Sequence, residues 1–293
     1  MGLVDVHFHF IAVPEYLAVY RQHLETLDRA VLLVFSSPGL KYREIQHMVP
    51  NMAKSFVGNH FKALAKNAGE EAEAFADRAG TYDLAGSFAR WWRGAGMDRK
   101  TIPFIDDRDF RTLDERRLEA YRKQGFAGIK TFYIPDYDDA GMKGYPEVLG
   151  MGRDEYRASV RRLFDFAAAR DMPVLCHVDL RRNSDLMKEV LDAHPNLHLD
   201  IPHFGYARPL MGPMLEKYEN LYSDVSSLMP VMKEKTASYM EFIEKHREKI
   251  LLGTEGLPVS AGEFVKFFEK HLKPETVEMV ARGNAERWLE KVW

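Results

Sequence analysis

Two histidines stand two residues apart near the start of the chain, His7 and His9 in the stretch DVHFHF. In an extended strand, residues i and i+2 project from one face about 7 Å apart. The Val and Phe residues around them give the stretch the composition of a strand. Two imidazoles on one face can share a metal ion at about 2.0–2.1 Å from each nitrogen. The alternative is a pair of core histidines bonded to carbonyl groups. Cys176 is the only cysteine among 293 residues, so a metal would have to be held by nitrogen and oxygen. The same fact rules out an intramolecular disulfide.

The elements that must position such residues follow from the hydrophobic pattern. GLVDVHFHF, RAVLLVFSS, KTIPFIDD, AGIKTFYI, MPVLCHVDL, LHLDIPHFG, NLYSDVSS and KILLGTEG read as strands. Amphipathic segments separate them, among them TLDERRLEAYRKQG, with Thr112 as its cap and Gly125 as its stop, RDEYRASVRRLFDFAAARD and NSDLMKEVLDAHP. Apolar strands joined by helical crossovers predict a parallel sheet covered on both faces. Eight such units in a chain of this length predict an α/β fold, a (β/α)8 TIM barrel, with residues 1–293 as one domain. No glycine-rich phosphate fingerprint follows the first strand, which counts against a doubly wound open sheet. Residues 37–99 carry no clear strand and read as a helical insertion after the second strand. It should emerge at the mouth of the barrel. Phe56, Phe61, Trp91 and Trp92 would line it as a lid, form its own packing core, or meet a second subunit.

The formal net charge of −3 leaves no basic footprint for nucleic acid and no attraction to an anionic membrane. The longest strongly apolar run, AVLLVF, is too short to span a bilayer. The expected partner is a small-molecule substrate, with a homo-oligomer left open. The expected location is the cytoplasm, since no leader is visible ahead of the first strand.

In a barrel of this kind, the C-terminal ends of the strands converge on one mouth. The polar residues there are His7 and His9 on the first strand, Lys130 on the fourth and His177 on the fifth. His203 follows on the sixth, Asp224 on the seventh and Glu255 on the eighth. Four histidines at such positions, from a chain with 11, are hard to treat as independent accidents. They favour the metal reading of His7 and His9.

In order and spacing, DVHFHF, LDRAVLLVFSS, GIKTFYIP, PVLCHVDL, PHFGY, NLYSDVSS, KILLGTEGLP and VARGNAERWL resemble the amidohydrolase superfamily, in its amidohydrolase-related (amidohydrolase 2) branch. The resemblance implies that His7, His9 and His177 are metal ligands. It makes Glu255 the fourth ligand and a proton carrier, and it puts His203 beside the bound water or substrate. Lys130 matches a lysine that two-metal relatives carboxylate and use as a bridge, His177 and His203 then holding the second ion. Two departures stand out. The family usually ends its eighth strand with aspartate in a GSD-like turn, where this chain reads GTE. Its fourth strand often continues KLHP, where this chain reads KTFY, which points to a different substrate pocket near Phe132 and Tyr133.

Three neutral imidazoles and a carboxylate suit a divalent ion, Zn²⁺ first and Mn²⁺ second, with a position open for water. The expected function is metal-dependent hydrolysis of a small amide, ester or lactone by metal-activated water, with Glu255 moving the proton and His203 steadying the oxyanion. The alternatives are non-oxidative decarboxylation of a small aromatic or unsaturated acid, a catalytically inactive metal-binding barrel, and a metal-free hydrolase built on His203 and Glu255. Arg181 and Arg208 would grip an anionic substrate or stand as surface arginines. Asp179 would orient a ligand histidine, and Asp224 would hydrogen-bond within the mouth.

Overall fold

A computed structural model describes residues 2–10, 21–48, 85–94, 99–137, 141–256 and 259–293. Eight strands follow one another in space as they do in sequence: β1 (Val4–Phe10), β2 (Arg29–Phe35), β3 (Thr101–Asp106), β4 (Gly128–Tyr133), β5 (Val174–Val178), β6 (Leu199–Asp200), β7 (Leu221–Asp224) and β8 (Ile250–Leu251). Every neighbouring pair is parallel. The last strand returns to the first. Val6 N–H donates to the Leu252 carbonyl (2.9 Å) and Glu255 N–H to the His7 carbonyl (2.6 Å). The expected barrel is therefore present.

Apolar side chains fill two layers. Val4, Val6, Val31, Leu33, Ile102, Phe104, Leu175 and Leu251 point inward, where Trp288 from the C-terminal helix joins them. Trp288 is fully buried against Phe104, ring centroids 5.5 Å apart. Residues of the opposite parity, such as Leu32 and Val34 on β2, pack outward against the helices.

In β1 this alternation reverses. Asp5 pairs with Ala30 and Phe8 with Leu32, so Val6 and His7 together oppose the single residue Val31. This is a β-bulge, which switches the face that later residues present. Val4 and Val6 lie inside, whereas Phe8 and Phe10 lie in the outer layer. His7 and His9 therefore turn into the barrel. Asp5 secures the irregularity. Its Oδ1 accepts the His7 N–H (3.1 Å) and the Thr254 N–H (3.1 Å), and its Oδ2 accepts from the Thr254 hydroxyl (2.6 Å).

The helices are local solutions to the same sequence. The helix Glu115–Gln124 is capped by Asp114, whose carboxylate accepts from Arg117 N–H (2.9 Å). Thr112, the expected cap, instead bonds Asp109 Oδ2 (2.9 Å). Gly125 ends the helix as expected. The sixth strand is shorter than its apolar run suggests, because the chain enters a turn at Pro202–Tyr206. Residues 49–84 and 95–98 of the insertion, with Phe56 and Phe61, lie outside the described residues, as does the Trp91 side chain. The flanking helix Ala85–Gly94 lies on the barrel wall. Its Phe88 ring meets Phe10 (5.3 Å) and Phe126 (5.8 Å), and Trp92 Nε1–H donates to Thr101 Oγ1 (2.7 Å). No helix among the described residues is long and apolar enough to cross a membrane.

Asp5→Ala would strand two backbone N–H groups and a hydroxyl in a buried region, and each stranded donor costs about 1–3 kcal/mol. We expect the variant to lose about 3 kcal/mol or more in urea unfolding. A loss below about 1 kcal/mol would show that the bulge does not depend on this carboxylate.

Candidate functional site

The inward turn after the bulge sets His7 and His9 side by side, their Nε2 atoms 3.4 Å apart. Behind His7 stands Asp224 at the end of β7, which accepts from His7 Nδ1–H through Oδ2 (2.7 Å). That bond assigns the proton of the neutral ring to Nδ1 and leaves Nε2 as a free lone pair facing His9. Gly253 makes the close approach possible. A Cβ there would stand 2.8 Å from His7 Cβ and 3.1 Å from Asp224 Cγ.

Burial lowers the His7 pKa, and Asp224 opposes this without reversing it. Burial also pulls His9 well below the usual imidazole range, with His7 and Lys130 adding to the effect. Both rings are therefore neutral near pH 7. Glu255 supplies the third donor. Ligand atoms of His7, His9 and Glu255 all lie within 4.8 Å of one another. Burial disfavours the Glu255 carboxylate, yet His203, His7, His9 and the Ser227 hydroxyl outweigh it and hold the carboxyl well below the usual carboxylate range.

These three residues fit a divalent ion. Two nitrogens bound tetrahedrally at about 2.0–2.1 Å from one ion stand about 3.4 Å apart, and a ligand set of neutral imidazoles and an ionised carboxylate needs no further deprotonation.

The other expected residues surround this cluster in different ways. His203 is buried and donates from Nδ1 to the Ser226 carbonyl (2.8 Å), which turns its Nε2 toward Glu255 Oε1 at 3.8 Å. Ser226 Oγ lies 3.0 Å from the Nδ1 of both His7 and His203, linking β1 to the turn after β6. His177 is buried with its ring 5.6 Å from His203, 5.5 Å from Tyr206 and 5.4 Å from Phe132. It is not part of the three-residue cluster.

Lys130 is buried with Nζ 4.7 Å from the Phe132 ring centre. Burial lowers its pKa, against the pull of Asp106 and Glu255. Phe132 lies between His177 and Lys130, whereas Tyr133 faces the helix Arg153–Ala168 and stacks on Tyr156 at 5.7 Å. Arg181 is held by Asp179, Nε to Oδ1 at 2.9 Å and Nη2 to Oδ2 at 2.7 Å. Asp179 also caps the helix Leu180–Ala193 by accepting from Arg181 N–H (3.0 Å). Arg208 donates to the Ser238 carbonyl (2.8 Å) and lies 3.6 Å over the Tyr239 ring.

The sequence reading passed over Asp106 and Arg108 at the end of β3. Asp106 grips the buried Arg108 guanidinium with both oxygens (2.8 and 2.6 Å). Arg108 also donates to the Met48 carbonyl (3.0 Å) and stacks 3.8 Å over Phe132. The run DDRD at a strand end was the available signal.

Asp200, at the end of β6, was also missed. It is fully buried, and no hydrogen-bond donor reaches either of its oxygens among the described residues. Burial and the adjacent Asp224 carboxylate push its pKa well above the usual value. Such a carboxyl keeps its proton and donates it to Asp224.

Backbone strain gathers at the same place. Of six non-glycine residues with positive φ among the described ones, His203, Phe204, Tyr206, Ser227 and Glu255 follow β6, β7 and β8. Gly205 sits within this left-handed run at φ +55°, and a Cβ there would meet the Leu180 side chain at 2.5 Å.

The protonated Asp200 makes a pH-dependent prediction. Its folded pKa lies above its unfolded value of about 4, so its contribution to stability is complete below about pH 4 and is lost as pH rises toward the folded pKa. Asp200→Asn keeps a donor to Asp224 and does not titrate. The variant should gain on the native chain between pH 5 and 8, by up to about 1.4 kcal/mol per pH unit. Parallel stability curves across that range would show that Asp200 is ionised in the fold.

A family model described as an amidohydrolase matches residues 4–291. No curated protein matches the sequence. An uncharacterized TIM-barrel protein from Bordetella bronchiseptica superposes with a TM-score of 0.59 at 12% identity, over 99% of each chain. A probable 2-pyrone-4,6-dicarboxylic acid hydrolase from Acinetobacter baumannii gives 0.54 at 12% identity, over 99% of this chain and 100% of that one. A TatD homolog from Escherichia coli K12 gives 0.54 at 12% identity, over 98% and 97%. At such identities the likeness shows the barrel and carries no substrate with it.

Proposed function

The chain belongs to the amidohydrolase family, and from that premise we propose that it is a metal-dependent hydrolase of a small amide, ester or lactone. The observation that carries this reading is the cluster of His7, His9 and Glu255, with the two Nε2 atoms 3.4 Å apart. These residues would hold the ion, Zn²⁺ before Mn²⁺, with His177 completing the set as a nearby imidazole. The ion supplies Lewis acidity, which makes water more acidic and polarises a carbonyl.

The remaining work falls to side chains. Glu255 is ionised, so it is ready to accept a proton from water at Oε1 and to return it to the leaving group. His203 has its Nδ1–H engaged by the Ser226 carbonyl, so its Nε2 faces Glu255 and the same volume. From there it can receive a proton from Glu255 or, once protonated, donate to the developing oxyanion. Lys130 and Phe132 border the cluster and would meet the rest of the substrate.

The test is metal analysis of the purified chain followed by turnover on a panel of lactones, esters, amides and aromatic acids. We expect activity on a hydrolysable substrate, abolished by chelation and restored by Zn²⁺ or Mn²⁺. Glu255→Gln should lower turnover by about 10²–10⁴-fold. Full activity in an exhaustively metal-free preparation would refute the metal-dependent reading, and carbon dioxide release without hydrolysis would replace it with decarboxylation.

A further inference from the structure

Glutamate is one methylene longer than aspartate, an extra reach of about 1.5 Å. It also has one more rotatable bond, which spreads its carboxylate over more positions. Metal–ligand distances must hold within about 0.2 Å. Something must therefore hold Glu255 in one arrangement.

The loop after β7 contains such a group. Ser227 Oγ donates to Glu255 Oε2. The other oxygen, Oε1, then lies 3.8 Å from His203 Nε2, and Glu255 keeps a donor atom within 4.8 Å of those of His7 and His9.

We propose, resting on the metal-site reading above, that Ser227 is the positioning residue for Glu255. Its hydroxyl anchors Oε2 and leaves Oε1 turned toward His203 and the metal-binding pair.

The backbone supports this assignment. Ser227 has φ +56° and Glu255 φ +68°, so two non-glycine residues in the left-handed region meet on the neighbouring loops after β7 and β8. Glycine would adopt φ +56° without strain; what it lacks is the hydroxyl. The serine is also held in place from both sides. Asp224 Oδ1 accepts from Ser226 N–H (2.9 Å), and Leu228 N–H donates to the Val225 carbonyl (3.1 Å). The turn is in turn tied to β8, since Val225 N–H donates to the Leu251 carbonyl (3.2 Å). The donor and the acid it anchors thus ride on strands that are bonded to each other. A serine that merely completed a surface turn would need no partner on the loop after β8.

The test measures Zn²⁺ affinity by competition with a chromophoric chelator, alongside urea unfolding of the metal-free chains. The proteins are the native chain, Ser227→Gly, Ser227→Ala, Glu255→Asp and the double variant Ser227→Ala/Glu255→Asp. Removing a group that orients a ligand weakens metal binding by about 10–100-fold, so each Ser227 variant should lose about tenfold or more. Metal-free Ser227→Gly should be at least as stable as the native chain, because the strain is relieved. With the shorter acid the hydroxyl has nothing to hold, so adding Ser227→Ala to Glu255→Asp should change affinity by less than about twofold, the two effects failing to add.

Unchanged affinity in both Ser227 variants would overturn the proposal while leaving the metal reading intact. An equal loss in the Glu255→Asp background would overturn it in the same way, since Ser227 would then act elsewhere. A native chain that binds no Zn²⁺ would overturn both readings together.

Discussion

One extra residue in β1 decides which side chains enter the barrel. Val4 and Val6 begin the strand inside, and strict alternation would send His7 and His9 out among the helices. A one-residue shift moves every later side chain to the other face, and the bulge across Val6 and His7 makes that shift. It also removes the His7 N–H from the regular ladder, and Asp5 supplies the missing acceptor from within the same strand. Because the same carboxylate takes the N–H and hydroxyl of Thr254, it fixes β1 and the end of β8 together. Glu255 is the next residue along, and its own N–H closes onto the His7 carbonyl. The histidine pair and the acid are thus placed by one buried carboxylate.

Beyond this clasp, a chain of buried polar groups runs through the mouth. Asp224 receives His7 Nδ1–H at one oxygen and the Ser226 N–H at the other (2.7 and 2.9 Å). Asp200 adds its proton to the same carboxylate. Burial disfavours the charge on Asp224, yet His7 and the other donors outweigh it and hold Asp224 well below the usual range. A single negative charge can stay in a low-dielectric interior when each lone pair meets a donor. Its effect on the site is directional. By taking the Nδ1 proton it presents the Nε2 lone pair of His7 to His9, and no other tautomer of the neutral ring satisfies the carboxylate.

The strands and the polar residues at their ends were legible because a parallel barrel writes both plainly. Its strands are continuous apolar runs, and its mouth is wherever those runs end. Period-two spacing put His7 and His9 on one face but could not say which, since a bulge leaves no mark on the spacing. The sixth strand ends sooner than its apolar run predicts, because Ile201 and Phe204 carry strand-type side chains while Phe204 packs against Phe242 (4.9 Å) from a left-handed turn. Arg181 and Arg208 lie at the expected points of the chain. Their reach is taken up locally, by Asp179 two residues away and by Ser238 and Tyr239 of the following helix. Asp200 looked like any strand-end acid, since its lack of a donor is a property of the packed interior.

The strain at the mouth needs its own compensation. A left-handed residue with a Cβ costs about 1–2 kcal/mol, so His203, Phe204, Tyr206, Ser227 and Glu255 together cost about 5–10 kcal/mol. That is comparable to the whole net stability of a typical domain. Such a cluster persists only where the surroundings over-determine it. Phe204 is buried against Tyr239 and Phe242. His203 is fixed by the Ser226 carbonyl. Gly205 occupies the point where a Cβ would strike Leu180. After Glu255, Thr254 Oγ1 accepts the Gly256 N–H (3.1 Å) while donating to Asp5. The same carboxylate that secures the bulge therefore also secures the strained turn that carries the acid. Loosening Asp5 would release both ends of the site at once, because the inward histidines and the left-handed Glu255 share a single clamp.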